Sequence, residues 1–412
     1  MHKKLKIAVF HNLPAGGAIK ALYDNIDFLK KHGHHVDVYT TEFSNKSFAP
    51  LDELADNHYV YQIKRSKFRK FLIKPLDKIL PYSHFDKDSK IFIKFSDYKS
   101  TLKNMAKDID DKNYDLVLLE QDILFSLSSP ILKYITSLKV YYCQQPSRYH
   151  EKILLKFKPE KPFYTKLVDK LYEEKYANLD SEYAQYADYI LCNSYFSHEN
   201  ILRSYGVNAR VSYLGVNTNQ FKPLNLSRKN IVMSVGSADS RKGTDFIIKA
   251  LGNVDKEIRP KFLIVGYGRT QSYIDYLYDL ADQLDVDFEI VNNVSYENLI
   301  KLYNEVKIVL FTPYLEPFGL VPLEAFTCGT PVIGVKEGGV KETVKHMENG
   351  LLLDRDEIMF TEGITELLVN QDLWNQFSEY GPKYVNEFWT LDDAGERLLN
   401  HFYRILEEKN KN

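Results

Sequence analysis

The chain has 412 residues, 44% apolar and 27% charged, with a formal net charge of −2. That length exceeds one ordinary core and predicts two or three domains, while the balanced charge excludes a global field for nucleic acid. No run reaches the roughly 18 apolar residues of a spanning helix, and Cys143, Cys192 and Cys328 are too widely spaced for a CxxC pair or a disulfide framework.

Residues Met1–Lys6 are charged, and only the short run Ile7–Phe10 follows before His11 and Asn12, so no secretory leader is expected here. Lys6–Phe10 reads as a buried strand. The loop Leu13–Ala18 (LPAGGA) follows, in which Gly16 and Gly17 let backbone approach a ligand, or simply make a flexible connection. A helix comes next, with apolar positions at Ile19, Leu22, Ile26 and Leu29, and it stops near Gly33. Further strands are expected at Val36–Thr40, Asp115–Leu119, Lys139–Cys143 and Tyr189–Cys192. Strands alternating with helices imply a parallel sheet covered on both faces.

Tyr61–Leu80 (YQIKRSKFRKFLIKPLDKIL) sets Lys64, Arg65, Lys67, Arg69, Lys70, Lys74 and Lys78 among Ile63, Phe68, Phe71, Leu72, Leu76 and Ile79, against one acid, Asp77. Two readings stand: a solvated basic face over a core, and a peripheral docking surface for anionic lipid.

The pattern then restarts after Phe221–Ser227 (FKPLNLS), where Pro223 breaks it. Strands are expected at Asn230–Val235, Lys261–Gly266, Asp287–Val291, Lys307–Phe311 and Pro331–Val335, with helices at Thr244–Leu251 and Tyr296–Tyr303. Two doubly wound domains facing across a cleft would put ligands beyond the carboxyl ends of the strands.

Three of those loops can carry chemistry. Glu316–Glu324 (EPFGLVPLE) makes a tight turn and opens a helix, so amides near Phe318, Gly319 and Leu320 would face phosphate or hydroxyl oxygens. Glu324, one turn in, can accept from a ribose diol, and Glu316 from a second polyol. The alternative is an ordinary helix start with acidic residues nearby. Val235–Gly243 (VGSADSRKG) offers Arg241 and Lys242 to a diphosphate, or two solvated basic residues before a helix. Val265–Gly268 (VGYG) lacks the third glycine and acidic residue of a dinucleotide fingerprint, which argues against a dehydrogenase.

These stretches resemble the family 4 retaining glycosyltransferases of the GT-B fold (group 1 type). The resemblance is carried by Asn193–Ile201 (NSYFSHENI), Tyr213–Pro223 (YLGVNTNQFKP), VGSADSRKG, Leu263–Gly268 (LIVGYG) and Glu316–Val344, with its E-x7-E pair and the Gly338–Gly339 turn. It is strong from about Ala187 to Leu353 and thinner between Thr41 and Asp188.

The resemblance implies two Rossmann-like domains: 1–221 on the acceptor side and 222–386 for the nucleotide sugar, with helices of 387–412 crossing back onto the first. It implies that Glu324 binds the donor ribose, that Glu316 contacts the transferred hexose and that Lys242 neutralises the diphosphate. Gly16, Gly17, Arg241, Phe318, Gly319 and Leu320 would complete the donor site, with Glu316 and Lys242 in the catalytic roles. The expected reaction transfers a hexose from a nucleotide-diphosphate sugar to a glycan or lipid-linked acceptor, with no cofactor and no metal. The expected place is the cytoplasm, with peripheral contact on the inner face of the membrane, and no nucleic-acid partner.

Two departures stand out. The family's arginine after VG is Ser237 here, and Tyr141–Tyr149 (YYCQQPSRY) is similar to a YCHTPxRY stretch of mannosyl-type members with Gln144 at the histidine. Gln144 and Arg148 are thus the acceptor-side candidates, and that stretch tilts the donor toward GDP-mannose. Alternative readings are a sugar-nucleotide epimerase and a catalytically weak nucleotide-sugar-binding partner.

Overall fold

A computed structural model describes residues 3–13, 16–44, 50–63, 83–86, 91–122, 128–146, 163–268 and 270–411. The chain forms two compact units. The first holds the described residues up to Tyr213 and those from Ala394 onward, and the second runs from Leu214 to Asp393.

The first unit is built on a seven-stranded sheet. Its strands are β1 (Lys6–Asn12), β2 (His35–Thr41), β3 (Asn57–Tyr61), β6 (Leu116–Asp122), β7 (Lys139–Tyr142), β8 (Tyr189–Cys192) and β9 (Arg210–Val211), while β4 (Ser83–Asp86) and β5 (Ile91–Lys94) make a separate antiparallel hairpin. The order is β3-β2-β1-β6-β7-β8-β9, and the strand pairs run parallel. Ile7, Ala8, Val9 and Phe10 are fully buried, as a strand covered on both faces requires. The helix Gly17–Lys31 buries Ile19, Leu22, Ile26 and Leu29 at helical spacing. Helix Leu391–Lys411 buries Ala394, Leu398, Phe402 and Ile405. It lies so close to the first helix that a side chain on Gly395 would strike the Phe28 ring.

The second unit holds a six-stranded parallel sheet: β10 (Lys229–Val235), β11 (Lys261–Val265), β12 (Phe288–Val291), β13 (Val306–Phe311), β14 (Val332–Val335) and β15 (Gly350–Leu353). Its order is β12-β11-β10-β13-β14-β15, so connections leave β10 and β13 in opposite directions. The carboxyl ends of β10 and β13 thus flank the switch point where such sheets bind ligands. The expected strands are present in both units; β3, β4, β5, β9 and β15 were not anticipated.

Arg228, just before β10, ties the N-terminal side of this sheet together. Its guanidinium donates to the carbonyls of Tyr303 (2.8 Å), Val306 (3.1 Å), Cys328 (2.9 Å) and Gly329 (3.0 Å) and to Thr330 Oγ1 (2.5 Å). Burial pulls its pKa down to about 10, so it stays charged at neutral pH. Replacing it strands several carbonyl acceptors. Arg228→Met is expected to cost about 3 kcal/mol in urea unfolding; a loss within experimental error would show that water replaces these bonds.

Candidate functional site

The donor-type candidates of the second unit gather at the switch point. The loop after β10 and the loop after β13 are stitched together by backbone. Tyr314 donates its N–H to the Arg241 carbonyl (2.8 Å), and Thr312 Oγ1 donates to the Lys242 carbonyl (2.9 Å). The stitching brings Lys242 Nζ to 2.9 Å from Glu316 Oε2, with both side chains about 30% exposed (27% and 30%). Two residues 74 apart in sequence therefore share one ion pair.

The loops leave no room to drift. A Cβ on Gly266, after β11, would lie 2.1 Å from the Gly236 carbonyl oxygen, and Ala238 donates its N–H to the Tyr267 carbonyl (2.9 Å). On the other side, a Cβ on Gly339 would lie 2.0 Å from the Pro317 oxygen, and Gly339 donates its N–H to the Glu316 carbonyl (2.8 Å). The glycine pair after β14 is thus a close backbone support for the turn that carries Glu316.

Arg355, beyond β15, braces the same turn. It forms a two-point ion pair with Glu337 (both 2.8 Å), donates to the carbonyls of Thr312 (2.9 Å) and Pro313 (3.2 Å), and stacks 3.7 Å over the Tyr314 ring. Sequence reading missed it because β15 was not anticipated, so its loop was not placed at a strand end.

Gly319 caps helix Leu320–Thr327 at φ 100°, and the amides of Gly319 and Leu320 lie before the helix's own ladder begins. Phe318 is buried, its ring 5.7 Å from that of Trp389. Glu324 sits in this helix, 8% exposed, and its Oε2 accepts from the hydroxyl of fully buried Tyr303 at 2.8 Å. Tyr303 was not singled out in the sequence. Its signal is a tyrosine on the inner side of the amphipathic helix Tyr296–Glu305.

Ser237 and Arg241 share Asp239. Ser237 Oγ donates to Asp239 Oδ2 (2.8 Å), the Arg241 amide donates to Oδ1 (2.9 Å), and the Arg241 guanidinium lies 3.3 Å from Oδ2. Arg241 is in the site, but as half of an ion pair with side-chain exposures of 23% and 12%.

The remaining candidates belong to the first unit. Gly16 caps the helix Gly17–Lys31, with open space where a side chain would stand. Gln144 lies beyond β7, 7% exposed. Arg148 and the basic residues from Lys64 to Lys78 fall outside the described residues.

Gln144 is part of a directed chain across the ends of β6, β7 and β8. Ser194 and Ser197 hydroxyls donate to Asn193 Oδ1 (3.2 and 2.8 Å), Asn193 Nδ2 donates to Gln144 Oε1 (3.0 Å), and Gln144 Nε2 donates to Glu120 Oε1 (3.4 Å). Glu120 is fully buried, and its Oε2 has no hydrogen-bond partner. Burial pushes its carboxyl well above the usual range. An acid directly after the apolar run LVLL of β6 is the signal for it.

Two units, each built on a parallel sheet whose strand order reverses at a switch point, have the architecture of the GT-B fold. Solved structures agree. Sucrose-phosphate synthase from Thermosynechococcus elongatus superposes with a TM-score of 0.73 at 18% identity, covering 98% of this chain and 100% of that one. Anabaena Alr3699/HepE, in complex with UDP and glucose, gives 0.71 at 16% identity, over 97% and 99%. Residues 216–384 match the model of the family "Glycosyl transferases group 1". The alpha-1,3/1,6-mannosyltransferase ALG2 of Rhizomucor pusillus is 23% identical over 449 residues, 96% of this chain and 91% of its own length. An uncharacterized glycosyltransferase of Methanocaldococcus jannaschii is 31% identical over 183 residues, 44% of this chain and 46% of its own.

Glu120 gives the first unit a pH signature. The folded chain keeps a proton that the unfolded chain sheds above a pH of about 4.3, so this group erodes stability as pH rises from there toward its raised folded pKa. Glu120→Gln has no such proton to lose. Its urea midpoint relative to wild type is expected to climb between acid and mildly alkaline pH; a difference independent of pH would show Glu120 ionised in the fold.

Proposed function

We propose that the chain is a retaining hexosyltransferase that moves mannose from a nucleotide-diphosphate sugar, GDP-mannose first, onto a glycan or lipid-linked acceptor. The observation that carries the donor part is the Lys242–Glu316 pair held at the switch point beside the amides of Gly319 and Leu320. Mannose is supported by the ALG2 relative, whose similarity spans 96% of the chain, together with the YYCQQPSRY stretch. The base is open between guanine and uracil, since Anabaena HepE carries UDP.

In this reading the diphosphate lies across the amides that start helix Leu320–Thr327, with Lys242 on its other side. Glu324 takes the ribose hydroxyls and Glu316 a hexose hydroxyl. The acceptor oxygen bonds to the anomeric carbon on the face from which the phosphate oxygen departs. The anomeric C–O bond breaks, its electron pair goes to the diphosphate, and the acceptor's proton passes to that oxygen. The protein's part is to hold the two substrates and stabilise charge growing on the leaving group. Amides and Lys242 do this without a metal. The acceptor would be taken by the first unit, with Gln144 on that side. The basic stretch around Lys64–Lys78 would serve peripheral contact with an anionic membrane on the cytoplasmic face. No helix among the described residues is long and apolar enough to cross a membrane.

Two variants separate the roles. Lys242→Met is expected to lower turnover about a hundredfold or more with labelled GDP-mannose or UDP-glucose, because its charge matters most as the bond breaks; wild-type turnover would exclude it from the reaction. Tyr303→Phe lets the Glu324 carboxylate rotate. It is expected to raise the nucleoside diphosphate Kd by about tenfold, with kcat little changed. Unchanged affinity in calorimetry would mean that Glu324 does not hold the ribose.

A further inference from the structure

Both cations of the donor loop are already neutralised by carboxylates of this chain. Lys242 pairs with Glu316 at 2.9 Å and Arg241 with Asp239 at 3.3 Å, so these four side chains sum to zero charge. The two pairs differ in kind. Glu316 stands in the turn that would meet the hexose, whereas Asp239 stands in Arg241's own loop, only two residues away. Asp239 is also the better anchored partner, since Ser237 donates to the same Oδ2 that faces Arg241 while the Arg241 amide holds Oδ1.

The backbone around this pair is immobilised. Ala238 is bound to Tyr267, the carbonyl of Arg241 is taken by Tyr314, and Gly236 is pressed against Gly266. What can move is the Arg241 side chain. An anion arriving beside Lys242 can then recruit Arg241 only by taking it from Asp239.

We propose that Asp239 is a positioning residue that competes with the donor's diphosphate for Arg241, so that the guanidinium exchanges a carboxylate for a phosphate as the nucleotide enters and returns to Asp239 as it leaves. The inference rests on the diphosphate reading of this loop and adds the residue that sets how strongly the loop grips. Removing the competing charge strengthens the grip on nucleoside diphosphate, and Ser237 acts in the same direction as Asp239 by holding its carboxylate toward Arg241.

The test is calorimetric titration of the full chain with UDP, GDP and ADP, at low and high salt. Asp239→Asn keeps the Oδ1 acceptor for the Arg241 amide and loses the charge. It is expected to tighten the Kd of whichever nucleotide binds by ~fivefold, with a steeper loss on adding salt. Ser237→Ala is expected to shift it the same way by less. In an Arg241→Met background the gain from Asp239→Asn should vanish. That non-additivity is what a merely structural role or a general field effect would not produce. Equal gains with and without Arg241, or no gain in a folded Asp239→Asn chain, overturn the exchange. Lys242→Met reports the underlying reading separately. If it weakens binding while Asp239→Asn does nothing, the exchange alone fails. If it leaves affinity unchanged, or wild type binds none of the three nucleotides, the diphosphate reading fails and the exchange with it.

Discussion

The hydrogen bond from the Tyr314 amide to the Arg241 carbonyl, with that from Thr312 Oγ1 to the Lys242 carbonyl, is the constraint on which the second unit's chemistry depends. It joins two loops that leave neighbouring strands at the switch point and converts sequence separation into contact. A lysine on a solvated loop would rarely hold one carboxylate, because surface pairs repay little of the side-chain entropy they consume. Here the backbones are already in place, so Lys242 and Glu316 have only their own rotamers to order.

That placement has a cost carried by other parts of the unit. The turn bearing Glu316 includes Leu315 at φ 49°, a conformation a branched apolar residue resists. Arg355 offsets it by fastening Thr312 and Pro313, and Gly338 and Gly339 offset it by letting backbone lie against backbone. The site is therefore supported from β10, β11, β13, β14 and β15 together.

Much of this was legible before the structure. Long apolar runs such as KIAVF and KIVLF marked the buried parallel strands, because a strand covered on both faces has no polar side to show. The E-x7-E spacing placed Glu316 and Glu324 on either side of a helix start, as found. What escaped notice depends on tertiary neighbours. β9 is two residues long, too short for a period to register. Tyr303 matters only because its helix packs where its hydroxyl meets Glu324, and Glu120 only because Gln144 reaches it from the next strand. Arg241 was correctly placed in the loop, but its pairing with Asp239 turns on a side-chain geometry that residue types alone do not specify.

The central claim is that the diphosphate of a nucleotide lies between the loop after β10 and the start of helix Leu320–Thr327. The most direct measurement is a crystal structure of the chain soaked with GDP or UDP. The account predicts phosphate oxygens within hydrogen-bond distance of Lys242 Nζ and of the amides at Gly319 and Leu320, with the ribose hydroxyls on Glu324. A nucleotide bound elsewhere, with the Lys242–Glu316 pair untouched, would contradict it.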